Sequence, residues 1–245
     1  MTQYRLFLES GPKMKTTMVH VLDLLGCIAN GPTTEAALEA TPGEIRHFRR
    51  FLQRHGEDVD PDEEFTTVIV QHVMEGPWIG YGNPGPGFEP DFQPLTQEEL
   101  PTHLNRLRWM RDELAAIADR LTADELRPAP EEKRPIHEIL RHTSATEAEF
   151  VRVAGLGKPE GVKELIGAIE SSTEGLGGNI AALWDILIAR FEAITDEERT
   201  QVIKRGEWPY TARRGLRRAL EHPWEHLREI ERRVELKSIT AGTSG

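Results

Sequence analysis

Between positions 76 and 94 the chain places five glycines and five prolines in nineteen residues. Such a stretch cannot continue a helix, because each interior proline removes a hydrogen bond and clashes with the preceding turn. Nor can it fill a central strand, where every N–H is needed. It therefore separates whatever folds before it from whatever folds after it. Its aromatic residues, Trp78, Tyr81, Phe88 and Phe92, predict a connector that packs on a surface. A lid over a binding site is the sharper alternative.

With 245 residues, each side of this connector is long enough for its own core. The boundaries that follow are a domain over residues 1–75, a linker over 76–94, a second domain over 95–236 and a flexible tail over 237–245. No run approaches the roughly 18 to 20 apolar residues that cross a bilayer. The N-terminal residues carry no apolar signal core. The single cysteine, Cys27, forbids an intramolecular disulfide and makes a cytoplasmic address the default. A net charge of -11 argues against nucleic acid as the main partner. No membrane partner is expected.

Before the connector the periodicities are mixed. Residues 4–9 and 18–24 are short runs of strand formers separated by Gly11 and Pro12. Thr33 or Thr34 can cap a helix carrying Leu38, Ile45, Phe48 and Leu52 at helical spacing. Pro42 and Gly43 predict a kink or break in it. Residues 65–73 form a third strong strand. The order β-β-α-β predicts a small α+β domain.

After the connector the pattern is helical throughout. Thr96 and Glu99 make a capping box that opens a stripe of Leu100, Leu104, Leu107, Leu114, Ile117 and Leu121. A second helix is predicted from about Pro135 to Val153, a third from Asn179 and a fourth from Thr211. Further capping boxes begin at Thr122 and Thr195. Four amphipathic helices with one long crossover predict an all-α four-helix bundle.

Among nine histidines, His20, His47, His55, His72, His103 and His137 have no partner at ligand spacing and read as surface or satisfied residues. His222 and His226 lie four apart, so both rings leave one face of a helix about one turn apart. One helix can offer two imidazoles to one metal in this way. The pair borders the apolar stripe of its helix, and His142 borders that of the second helix. The three either converge in a cleft or are unrelated.

The segment from Arg134 to Phe150, with His142, resembles the second helix of the DinB superfamily. The segment from Thr211 to Leu227, with His222 and His226, resembles its fourth. The resemblance implies a four-helix bundle holding a divalent metal on His142, His222 and His226; imidazole is borderline-soft, which puts zinc or nickel first and leaves iron or manganese as alternatives. Two departures from the family pattern stand out. A tryptophan often found before the second-helix histidine is missing, and Pro223 sits between two ligands, where it predicts a kink. Residues 19–31, followed by 33–40 and Ile45, resemble the HicB-like fold, which implies a domain used for protein contacts.

Three neutral imidazoles leave a dication its full charge and an open position, where a bound water or thiol becomes far more acidic. The DinB resemblance implies S-transfer from a low-molecular-weight thiol, or hydrolysis. The alternative is a non-enzymatic binding or regulatory protein with a structural metal. Its partners would then include a protein docked through the N-terminal domain, and homodimerisation is open in either case. Glu149, seven residues after His142, and Glu229, three after His226, are candidate groups to orient a ring or accept a proton. Both would otherwise pair with arginines of the fourth helix. Those arginines (Arg213, Arg214, Arg217, Arg218, Arg228, Arg232, Arg233) read as a solvated face balanced by Glu221, Glu225, Glu229 and Glu231. Binding of a substrate carboxylate by Arg213, Arg214, Arg217 or Arg218 is the alternative. Cys27 reads as a small buried residue.

Overall fold

A computed structural model describes residues 1–76, 79–80, 87–122, 134–205 and 208–242, with side chains described through Val234. A strand-rich N-terminal region is followed by a helical C-terminal part. The first contains β1 (Thr2–Ser10), β2 (Thr17–Val21), β3 (Ile28–Gly31), α1 (Thr34–Arg54) and β4 (Phe65–Val73). Its sheet has the order β3-β2-β1-β4. β1 pairs antiparallel to β2, with Phe7 opposite His20, and parallel to β4. β3 was not expected. It is only four residues long, and its pairing with β2 is set by the turn before it. There Gly26 adopts a φ of +107°, and a Cβ would lie 2.8 Å from the Phe48 ring, so only glycine fits.

α1 begins as its capping residue predicts: the Thr33 hydroxyl accepts from the Ala36 N–H at 3.1 Å. It buries Ala37, Ile45, Phe48, Phe51 and Leu52. The expected interruption at Pro42 and Gly43 does not divide it, and one helix runs from Thr34 to Arg54. The proline removes one donor, while the stripe on either side stays buried in the same core and holds the helix together.

The helical part contains α2 (Leu100–Arg120), α3 (Ile136–Val151), α4 (Val162–Ser171), α5 (Leu176–Glu192), α6 (Asp196–Thr200) and α7 (Ala212–Gly242). α2 packs on α5 and α7, and α3 packs on α5 and α7. The Thr96 capping box forms as predicted. The Glu99 carboxylate accepts from the Thr96 N–H at 2.7 Å, and the Thr96 hydroxyl accepts from the Glu99 N–H at 3.2 Å. The box at Thr195 opens α6; the one at Thr122 extends into residues outside the described ones. A short hairpin, β5 (Ile203–Arg205) with β6 (Trp208–Tyr210), interrupts what reads as an all-helical stretch. α7 runs through Gly242, into the residues expected as a tail. No described helix is long and apolar enough to cross a membrane.

The two parts share one contiguous core. Trp224 of α7 meets Phe48 and Phe51 of α1 at ring-centroid distances of 4.9 and 5.2 Å. Arg106 of α2 donates to Glu57 at 2.7 Å and to the Leu25 carbonyl at 2.8 Å. The connector packs into this junction: Phe88 is fully buried, 5.5 Å from Phe7 and 4.9 Å from His20. Phe92 is more exposed, and Trp78 and Tyr81 lie outside the described residues.

Candidate metal centre

α3 forms because Ile136, Ile139, Leu140, Thr143 and Phe150 recur on one face, and burying that stripe sets the helix's rotation. His142 then falls on the rim and is exposed. α7 starts at a cap, with the Thr211 hydroxyl accepting from the Arg214 N–H at 3.1 Å. It buries Leu216, Leu220, Leu227 and Ile230. At Gly215 a Cβ would collide with Ala154, so the absence of a side chain lets α7 approach the end of α3. His222 and His226 therefore face His142. Pro223 does not part them, and α7 is continuous through it.

The Nε2 atom of His222 lies 3.2 Å from that of His142 and 3.2 Å from that of His226. The three ligand atoms lie within 4.8 Å of one another. Two imidazoles on one tetrahedral ion, each at about 2.05 Å, have nitrogens about 3.3 Å apart, so the spacing fits a single ion. The Nδ1 atoms face outward to other groups. His222 Nδ1 is 3.1 Å from Glu147 Oε1, His226 Nδ1 is 2.9 Å from Glu229 Oε2, and His142 Nδ1 is 3.4 Å from the Thr146 hydroxyl. A donor set with Nε2 inward and Nδ1 on oxygen partners is the one that fixes metal-binding tautomers.

Electrostatics push in the same direction. Burial, then His226 and Arg218, drives His222 well below the usual histidine range. Burial, then His226 and Arg134, lowers His142. Neutral imidazole is the ligating form. Burial also raises Glu147 well above the carboxylate range, with only Arg218 opposing. Burial would raise Glu229 too, but its hydrogen bond with His226 and the nearby Arg134 and Arg233 hold it at about 2.

Of the residues singled out in the sequence, the three histidines and Glu229 come together. Glu149 does not: it is exposed and bonded to Arg152 at 2.7 Å. Glu147 was missed. It stands four residues after Thr143 and three before Phe150, on the buried stripe, where a carboxylate requires a partner. The arginine face is not solvated as expected. Arg214, Arg217, Arg218 and Glu221 are all buried. Arg217 bonds Asp91 at 2.8 Å and Glu221 at 2.9 Å, and Glu221 also takes Arg218 at 2.8 Å and His20 Nδ1 at 2.9 Å. Arg217 turns inward because Asp91 arrives from a distant segment and Glu221 stands one turn on, while Arg218 takes Glu221 and Arg214 the Pro209 carbonyl.

The model of the DinB superfamily matches residues 106–230, which is half of the chain and includes all three histidines. The chain belongs to the DinB superfamily. No curated protein and no solved structure matches it. In this DinB-superfamily chain the matched segment begins inside α2, so the sheet and α1 stand outside it.

Proposed function

We propose that this DinB-superfamily chain is a metal-dependent enzyme of the low-molecular-weight thiol S-transferase or hydrolase type. It would use a divalent transition metal, zinc or nickel first, on His142, His222 and His226. The observation that carries the proposal is the unequal exposure of the three ligand candidates. His222 and His226 are buried while His142 is exposed, so their nitrogens converge at the boundary between core and solvent, where a small substrate can arrive. A dication held there supplies Lewis acidity, lowering the pKa of a water or thiol beside it toward neutrality.

The chain's own residues hold and orient. Glu147 and Glu229 fix the ring planes of His222 and His226 through Nδ1, and Thr146 does so for His142. Glu229 lies 2.9 Å from His226 Nδ1, which suits it to orientation of that ring. The four long helices are read as a four-helix bundle, and residues 1–75 as a HicB-like domain. The sheet backed by α1 supports that second reading.

Metal analysis of protein purified without an affinity tag comes first, followed by a screen of thiol conjugation and hydrolysis. Stoichiometric metal with metal-dependent turnover is the expected result; absence of bound metal after growth with added zinc and nickel would sink the proposal. Metal without turnover would favour a regulatory protein instead. One observation suits that second reading: His20 of the sheet bonds Glu221, the residue preceding His222.

A further inference from the structure

A concavity lies where α1, α2 and α7 meet, with a volume of about 340 Å³. That is within the roughly 300 to 1,000 Å³ of small-molecule sites. Trp224 and Arg228 in its wall each stand two residues after a histidine of the metal centre, roughly 200° around α7. The pocket and the histidines therefore occupy opposite faces of one helix.

Four of its ten lining residues are arginines, Arg50, Arg54, Arg120 and Arg228, against one acid, Glu231. In a chain of net charge -11 this reverses the overall sign. Two of the four are already engaged. Arg54 bonds Glu113 at 2.7 Å, and Arg228 bonds Glu231 and, at 3.3 Å, Glu44. The other two are not held in this way. Among the described residues Arg50 reaches only Asp62, at 3.3 Å, an exposed pair of small worth. Arg120 makes no hydrogen bond or ion pair among the described residues. The Nε1 donor of Trp224 is buried in the same wall without an acceptor. Beneath the charges the floor is apolar, made by Ile117, Ile230 and Val234.

We infer that this pocket binds a small organic anion with a compact apolar body. The anionic group meets Arg50 and Arg120, and the body covers Ile117, Ile230 and Val234. Binding is independent of the histidine centre. A bulky divalent anion such as an aryl phosphate satisfies both arginines at once, and guanidinium groups suit its oxygens.

Calorimetric titration of the full chain, freed of metal so that no anion can coordinate at the histidines, tests the inference. Phenyl phosphate, inorganic phosphate and benzyl alcohol serve as probes. Phenyl phosphate is expected to bind saturably at or below about 1 mM, inorganic phosphate about tenfold more weakly, and benzyl alcohol not at all. Arg50→Ala with Arg120→Ala should weaken phenyl phosphate about tenfold or more while leaving the thermal midpoint in place, since both side chains are exposed. Arg120→Glu alone should weaken it in the same direction. His142→Ala should leave it unchanged. Three results would overturn the inference: no saturable binding of phenyl phosphate, equal affinity for both phosphates, or binding that survives both arginine variants.

Discussion

His20 and His222 are both buried histidines with a carboxylate on Nδ1, and the carboxylate on His20, Glu221, immediately precedes His222 in α7, yet their pKa values are pushed in opposite directions. His20 stands between Glu221 at 2.9 Å and Glu9 at 3.3 Å. Burial alone would lower its pKa, but the two carboxylates outweigh it and raise it. His222 faces Glu147, whose own carboxyl is pushed toward the neutral form, and its other neighbours are histidines and arginines. Both are buried, so what separates them is the charge of their neighbours. A histidine flanked by two carboxylates has its charged form favoured where it joins two parts of a fold. A buried histidine beside a carboxyl that is itself pushed toward neutrality, and near other cations, has its neutral form favoured, the form that can ligate a metal.

The largest way to break this contrast is to remove the shared anion of the His20 cluster. Glu221→Ala leaves Arg217, Arg218 and His20 without their common acceptor in a buried setting. It should cost about 3–5 kcal/mol in chemical denaturation. A loss under about 1 kcal/mol would mean that the cluster is not a buried charge network.

The cluster also predicts how the two parts behave when the chain is cut. We propose the boundary between them at residues 76–94, where limited proteolysis should cut first. Because Phe48, Phe51 and Trp224 share one core, the two fragments should remain together on a sizing column until denaturant is added. Separation in native buffer would contradict the shared core.

The pH dependence sharpens the contrast next. His20 has a raised folded pKa, so its contribution is fully present below about 6.5, its unfolded value, and is lost as pH rises through the folded one. His222 has a lowered folded pKa, so in metal-free protein its contribution is present above about 6.5 and is lost as pH falls. His20→Gln should flatten the alkaline side of the stability profile and His222→Gln the acidic side. Identical profiles in the two variants would refute the opposite directions of shift.

Much of this arrangement was legible in the chain, and the boundary of legibility is physical. The capping boxes at Thr96 and Thr195 and the helical stripes rest on local periodicity, which needs no partner. The His222 and His226 pair was visible because four residues is one helical turn. The inward turn of Arg214, Arg217 and Arg218 was not visible, since charge on a helix reads as solvent-facing. Only the fold brings Asp91 to Arg217, and His20 with Glu9 to Glu221. β3 is too short for a periodic signal, and the β5–β6 hairpin is shorter still. Glu147 was legible in principle, as a carboxylate on a buried stripe, but its spacing of five from His142 suggests no contact along one helix; the contact is with His222 of α7.

A smaller effect separates the carboxylates. Glu147→Gln and Glu229→Gln should each weaken metal affinity about tenfold, because each orients a ring through Nδ1. Glu149→Gln should leave affinity unchanged, since its partner is Arg152. Competition titration with a chromogenic chelator distinguishes these outcomes.

The most direct measurement is the metal content of untagged protein, wild type against His222→Ala, by mass spectrometry of the purified chains. His222 sits between the other two rings, 3.2 Å from each at Nε2, so its loss opens the centre from the middle. One equivalent in wild type, and much less in the variant with the fold intact by circular dichroism, is the predicted result. Equal metal content in the two proteins would contradict the three-histidine centre.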